Sequence, residues 1–292
     1  MPLVTTKNML LAAREGRWAA GAFNAENMEM IQAIIASAED LFAPVIIQTT
    51  PGTLAYGSPA LYYANAAVLA ASARVPVAIH LDHGDSLALA ARALRAGYTS
   101  IMIDGSRKVL DGNIAVTRAV VEICEPNGVP VEGELGRVGG KEDDVEGEAG
   151  YTDPGQAARF TEETGVSSLA VGVGTAHGVY KTTPVLNTEL ISALEKIVPV
   201  PLVLHGASGL SPDAVRDCVS RGICKVNFAT DLRIAYSDAV KEYLEKNPRT
   251  IDPKKYGGAA RDAVSRLVSR LIKVCGCGGR AADVDIDRTF PK

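Results

Sequence analysis

Eight short apolar, β-branched runs recur along the chain with amphipathic helical patterns between them, and nothing else in the sequence constrains the fold as strongly. The runs are Ala19–Asn24, Pro44–Thr49, Val75–His83, Ser100–Asp104, Val129–Leu135, Ser168–Gly174, Pro201–His205 and Cys224–Phe228. The helical stretches are Met28–Leu41, Leu61–Arg74, Ser86–Ala96, Asn113–Glu125, Pro154–Thr164, Thr188–Ile197 and Pro212–Arg221. Asp153-Pro154 and Ser211-Pro212 each set a capping side chain before a proline suited to a first helical turn. Gly97, Gly165 and Gly222 are helix stops. Strands that read as continuous apolar runs are buried on both faces, as in a parallel sheet. Eight such βα units predict a closed (β/α)8 TIM barrel occupying residues 1–292 as one domain. An open doubly wound sheet would need a dinucleotide fingerprint after an early strand, and the chain has none. Extra helices are expected at both ends, one in the amphipathic N-terminal stretch and one over Ala259–Val274. Gly136–Tyr151 breaks the rhythm: it is glycine-rich, acidic and too polar to pack as an element, and loops of this length usually carry function.

Charge and cysteine usage narrow the function. Lys plus Arg number 30 and Asp plus Glu 34, a net charge of −4, which argues against nucleic acid as a partner. Five cysteines form no plausible disulfide framework, and Cys275 and Cys277 lack the spacing of a zinc ribbon or redox pair, so a reducing cytoplasm is expected. The N-terminus does not read as a signal peptide, and no apolar run reaches the length of a membrane span.

The chemistry gathers on the histidines. Of only four, His83, His177 and His205 fall at or just after strand ends, the rim where barrel active sites are built. Three imidazoles with an open position are a ligand set for catalytic zinc. His80 lies deeper in its strand and reads as a core residue. Asp82 precedes His83 and either transfers a proton or orients an imidazole. The glycines and hydroxyls of GTAHG, HGASG and NFAT, after strands six to eight, suit a phosphate. Zinc beside phosphate suggests a phosphorylated carbonyl substrate, with Glu142 a base from the acidic loop and Glu134 ending strand five toward the site. The run Glu142–Asp144 could equally be a solvated loop.

With these motifs the chain resembles the class II, zinc-dependent ketose-bisphosphate aldolases. The shared motifs are LDHG at 81–84, VEGELGRVGGKEDDV at 131–145, GTAHGVY at 174–180, LVLHGASGL at 202–210 and GICKVNFATD at 222–231. The opening AFNAEN and PVIIQTTPGT and the ending DPKKY and CGCGGRA match as well. The resemblance is closest to the D-tagatose-1,6-bisphosphate aldolase branch. It implies that His83, His177 and His205 hold zinc, with Asp104 and Glu134 near an alternative metal position. It implies Asp82 as acid/base and Glu142 as the loop glutamate that moves a proton of dihydroxyacetone phosphate. Asn24, Thr50, Gly178, Gly206, Ser208, Asn227, Ala229 and Thr230 are the implied substrate-binding set. A monovalent cation, Na+ or K+, is expected near the backbone of Ala176 and Gly178. A homodimer or homotetramer is expected too, as is a noncatalytic activating subunit of the kind some tagatose enzymes use. Ala229 stands where fructose-bisphosphate aldolases often carry aspartate. Gly84 stands where tagatose enzymes can carry histidine, and aldolases of inositol breakdown also read LDHG.

Three rivals remain. A Schiff-base aldolase could use Lys225, on the same strand face as Asn227, but would leave the histidines unexplained. A zinc hydrolase barrel would usually show His-x-His on strand one, which here is AAGAFN. A noncatalytic barrel subunit would be free to lose the histidines and Asp82.

Overall fold

The computed structural model describes residues 3–142, 145–147, 150–180, 182 and 184–286, and only the backbone of 141–142 and 145–147. Its elements in chain order are α1 (Thr6–Gly16), β1 (Ala20–Asn24), α2 (Met28–Asp40), β2 (Val45–Thr49), α3 (Pro51–Tyr56), α4 (Pro59–Ser72), β3 (Val77–Gly84), α5 (Leu87–Ala96), β4 (Ser100–Ile103), α6 (Leu110–Cys124), β5 (Val131–Leu135), β6 (Gly139–Glu142), β7 (Val145–Gly147), α7 (Pro154–Thr164), β8 (Ser168–Val171), β9 (Ala176–His177), α8 (Thr188–Ile197), β10 (Leu202–Leu204), α9 (Pro212–Ser220), β11 (Ile223–Phe228), α10 (Thr230–Lys246) and α11 (Pro253–Cys275). Strands β1, β2, β3, β4, β5, β8, β10 and β11 close in that order into a parallel barrel with helices between them. The expected (β/α)8 barrel is what forms.

Local signals set the boundaries. The side chains of Asn27, Ser58, Ser86, Asp153 and Ser211 each accept a backbone N–H in the first turn of the helix they precede. Gly97 and Gly165 close α5 and α7 in the left-handed conformation. Along a strand alternate side chains share a face. His80 and Asp82, Glu132 and Glu134, and Lys225 and Asn227 are such pairs; all six are buried, and hydrogen bonds join His80 to Lys225, Lys225 to Glu132 and Asp82 to Asn227 inside the barrel.

Several expectations are corrected. The segment after β5 is no featureless loop. Residues 139–142 and 145–147 form an antiparallel hairpin, and β6 also pairs in parallel with β9, so backbone pairing supplies what side-chain packing could not. Helix α10 was not anticipated because Leu232 is its one buried side chain, leaving no apolar stripe to read. The C-terminal helix is longer than expected and packs on α2 and α10 outside the barrel through Ala260, Val264, Val268, Leu271 and Ile272. Strand β8 stops at Val171, short of Gly174, while β11 ends at Phe228 as expected and Ala229 is the N-cap of α10.

The ending CGCGGRA is structural. Cys275 accepts from Ala19 N–H, and the amides of Gly279 and Ala281 donate to the carbonyls of Leu41 and Phe42. Burial pushes the Cys277 thiol up to about 11 and the Cys275 thiol well above its usual range, so neither offers a thiolate at neutral pH. No described helix is long and apolar enough to cross a membrane.

Candidate active site

His83, His177 and His205 converge at the carboxyl end of the barrel, each offering a ring nitrogen within 4.8 Å of the others. His83 sits at a register shift between Leu81 and Gly84 and has φ +49°. That conformation costs a non-glycine residue on the order of 1–3 kcal/mol, and a ring held there against strain is commonly functional. His205 directly follows β10, and His177 ends β9.

The outward nitrogens of two rings meet carboxylates. His83 Nδ1 lies 3.5 Å from Asp104, and His205 Nε2 is hydrogen-bonded to Glu132 Oε1 at 2.9 Å. Their inward nitrogens, His83 Nε2 and His205 Nδ1, face each other at 2.9 Å. If each ring gives its proton to its carboxylate, two lone pairs confront one another, and a proton on one ring or a cation shared by both resolves the contact. Burial lowers His83, but Asp82, Asp104 and Glu134 outweigh it and hold the ring well above its usual pKa. Burial and the neighbouring His83 hold His177 and His205 well below theirs, in the neutral form that ligates metal. Glu134 Oε2 is buried without a hydrogen-bond partner among the described residues, 3.7 Å from His205 Nδ1. Burial and the charge of Asp104 push Glu134 up to about 8, a carboxylate short of a cation. Asp104 and Glu134 also form a second cluster with His83. The donor set therefore fits a divalent, imidazole-preferring metal such as zinc.

Asp82 lies beside the triad, buried and gripped on both oxygens. Asn24 Nδ2 donates to Oδ2 at 2.9 Å, Gln48 Nε2 at 3.2 Å, and Asn227 Nδ2 donates to Oδ1 at 3.0 Å. Burial raises its pKa, but His83, His205, Lys225 and the Asn24 hydrogen bond prevail and the net shift is downward. Asp82 is thus an ionised carboxylate in a dry site. Asn227 Oδ1 is buried without a partner among the described residues, an acceptor open to a ligand hydroxyl.

A cleft is lined by Asn24, Asp82, His83, His177, Gly178, Gly206, Ser208, Asn227, Ala229 and Thr230. Every expected substrate residue is there except Thr50, which is buried and caps α3 by accepting from Thr53 N–H. At one end the cleft meets the N-terminus of α10. Ser208 Oγ accepts from the amides of Ala229 and Asp231 at 3.1 and 3.3 Å, leaving its own proton for an acceptor in the cleft. That hydroxyl at the N-terminus of a 17-residue helix makes a place for an anion.

Gly140 pairs with His177 in register, which puts Glu142 two residues further along β6. The Glu142 side chain itself lies outside the described residues. A Cβ on Gly140, where φ is +83°, would collide with the His177 carbonyl oxygen. Gly140→Val should therefore displace the hairpin from His177. The barrel's thermal midpoint is expected to hold within a few degrees while kcat drops by about 10²-fold, the scale of a misplaced catalytic segment. A variant with unchanged kcat would show that the hairpin does not position the site.

Sequence reasoning missed several supports. Tyr180 Oη donates to the Gly206 carbonyl at 2.7 Å and accepts from Ala176 N–H at 2.8 Å, bracing the two glycine loops. Gln48 and Glu132 hold Asp82 and His205. The parity of Glu132 with Glu134 was a signal for the latter. His80 is the core residue expected, wholly buried and bonded to Ser100 Oγ at 2.8 Å. Lys225 corrects the Schiff-base rival: its Nζ is sealed in the barrel against Glu132 and His80, where no substrate carbonyl reaches it.

A family model described as class II fructose-bisphosphate aldolase matches residues 4–280. The YdjI aldolase of Escherichia coli K12 is 35% identical, with 96% of this chain and 99% of that chain covered and a TM-score of 0.85. A candidate fructose-1,6-bisphosphate aldolase from Coccidioides immitis is 29% identical over 94% of this chain and 96% of that one, also with a TM-score of 0.85. The fructose-bisphosphate aldolase of Campylobacter jejuni, at 23% identity and a TM-score of 0.80 over 94% of this chain and 96% of that one, shares the fold.

Proposed function

Because this chain belongs to the class II fructose-bisphosphate aldolase family and is a carbon–carbon lyase, we propose that it uses zinc to cleave D-tagatose 1,6-bisphosphate reversibly to dihydroxyacetone phosphate and glyceraldehyde 3-phosphate. The observation that carries this reading is the adjacency of three converging imidazoles, an ionised Asp82 and a helix N-terminus in one cleft.

Zinc held by His83, His177 and His205 would polarise the substrate ketone and offset negative charge at the enediolate oxygens. The chain's own groups do the rest. The Thr230 amide at the start of α10, with the hydroxyls of Ser208 and Thr230, holds the phosphate of the three-carbon ketone fragment. Asn227 accepts from a substrate hydroxyl. In cleavage, the Asp82 carboxylate takes the C4 hydroxyl proton as the C3–C4 bond breaks; in condensation it returns it. Glu142, carried by β6, returns a proton to C3 of the released fragment. A monovalent cation at the carbonyls near Ala176 and Gly178, and assembly into a homodimer or homotetramer, with or without an activating subunit, belong to the same reading.

The choice of epimer turns on Ala229. It lines the cleft as the N-cap of α10. An aspartate there could accept from a substrate hydroxyl, and alanine cannot. One such bond made or lost is worth about 1–3 kcal/mol, roughly one to two decades of discrimination. Tagatose bisphosphate is expected to be cleaved better than fructose bisphosphate, and Ala229→Asp to move the kcat/KM ratio toward fructose. An active variant with an unchanged ratio would assign the choice elsewhere. Gly84 favours a second reading, an aldolase of fructose bisphosphate or of another phosphorylated keto-sugar, such as that of inositol breakdown. A Cβ at position 84 would collide with the Met102 carbonyl, so this backbone admits no histidine there. A coupled assay across tagatose, fructose and sorbose bisphosphates, with and without chelator, decides between them.

A further inference from the structure

Inside the barrel, below the cleft, runs a continuous polar chain that ends on His205. Thr6, the first residue of α1, donates through Oγ1 to Ser100 Oγ at 2.8 Å. Ser100 Oγ meets His80 Nδ1 at 2.8 Å, and His80 Nε2 lies 3.3 Å from Lys225 Nζ. Lys225 donates to both Glu132 oxygens at 2.9 and 3.2 Å, and Glu132 Oε1 accepts from His205 Nε2 at 2.9 Å. All six side chains are buried.

We infer that Lys225 is a positioning residue: by clamping both oxygens of Glu132 it fixes the carboxylate that holds His205 as the Nε2–H tautomer, with Nδ1 aimed at His83. This rests on the zinc-aldolase reading. The physical reason is geometric. A carboxylate with one partner can pivot about its last two torsions, whereas one gripped on both oxygens by an ammonium cannot. His80 Nε2 takes a third ammonium proton, so all three are engaged, and Ser100 and Thr6 fix the His80 ring. A barrel core built for packing alone would hold apolar side chains here, since a buried ion pair is weak evidence of stabilisation.

The decisive variant removes the pair together. Lys225→Met alone strands a buried carboxylate and is expected to fold poorly. Lys225→Met with Glu132→Gln leaves no unpaired charge and keeps an acceptor for His205. The double variant is expected to retain a thermal midpoint near that of the unaltered protein. Its zinc affinity, measured by competition with a chromophoric chelator, should fall by about 10–100-fold, as for other groups that orient a metal-bound histidine. Its kcat should fall at saturating zinc with KM little changed. Ile79→Val, a buried change outside the polar chain, serves as the stability control and should keep full zinc affinity. Undiminished zinc affinity in the folded double variant overturns the inference. So does a loss matched by Ile79→Val at equal destabilisation. Nitrogen-15 spectra of the metal-free unaltered protein give a test that needs no variant: His205 should carry its proton on Nε2, and a proton on Nδ1 overturns the inference. If the unaltered protein itself neither binds zinc nor cleaves a ketose bisphosphate, the aldolase reading fails instead.

Discussion

Asp82→Ala should leave zinc bound at full stoichiometry and reduce cleavage by about 10²-fold or more, the range of a positioned general acid or base. The carboxylate is not among the metal-competent ligand groups, so its removal spares the imidazoles. Three amides fence it in place, and His83, His205 and Lys225, with the Asn24 hydrogen bond, hold its pKa down despite burial. The variant should still exchange the C3 proton of dihydroxyacetone phosphate with solvent far better than it cleaves substrate, because that proton is assigned to Glu142. Parallel measurement of cleavage and tritium or deuterium exchange separates the two. Equal loss of both would mean that Asp82 serves only to orient His83. The alanine variant also leaves Asn24, Gln48 and Asn227 without their common acceptor, so Asp82→Asn, which keeps the volume and one acceptor, is the control for fold.

Removing the metal should abolish activity, and restoring zinc should return it. His177→Ala should lose both metal and turnover, since two imidazoles do not supply the three protein ligands of a catalytic zinc site. Metal content and kcat should fall together, while circular dichroism stays that of the folded barrel, because His177 ends a two-residue strand outside the barrel wall. Full turnover in a chelated, metal-free sample would sink the zinc reading. Borohydride reduction in the presence of substrate should label nothing, since Lys225 Nζ is closed off within the barrel.

The residues that the sequence marks most plainly are those whose position along a strand also fixes their direction. Two-residue spacing put Asp82 with His80, Glu134 with Glu132 and Asn227 with Lys225 on one face, and a closed barrel has only one inside. That periodicity does not reach Ala229. It lines the cleft, but as a helix cap with φ −124° and ψ −66°, because β11 had already ended. Thr50 stood at a strand end like its neighbours, yet its hydroxyl turns to cap α3. Helix α10 carried no apolar stripe to reveal it, and the hairpin of β6 and β7 carried no side chains that announce a strand.

From the sequence alone came the alternation of elements, hence the parallel barrel, and the gathering of three histidines and Asp82 at one rim. Those follow from local periodicity, which each segment carries within itself. Tertiary structure alone decided which nitrogen of His83 and of His205 faces inward, that Lys225 is an anchor sealed in the core, and that the polar loop becomes a strand against His177. Each of these depends on a partner far along the chain, 73 residues for His205 and Glu132 and 93 for Lys225 and Glu132, and a hydrogen bond between them has no counterpart in the spacing of either segment.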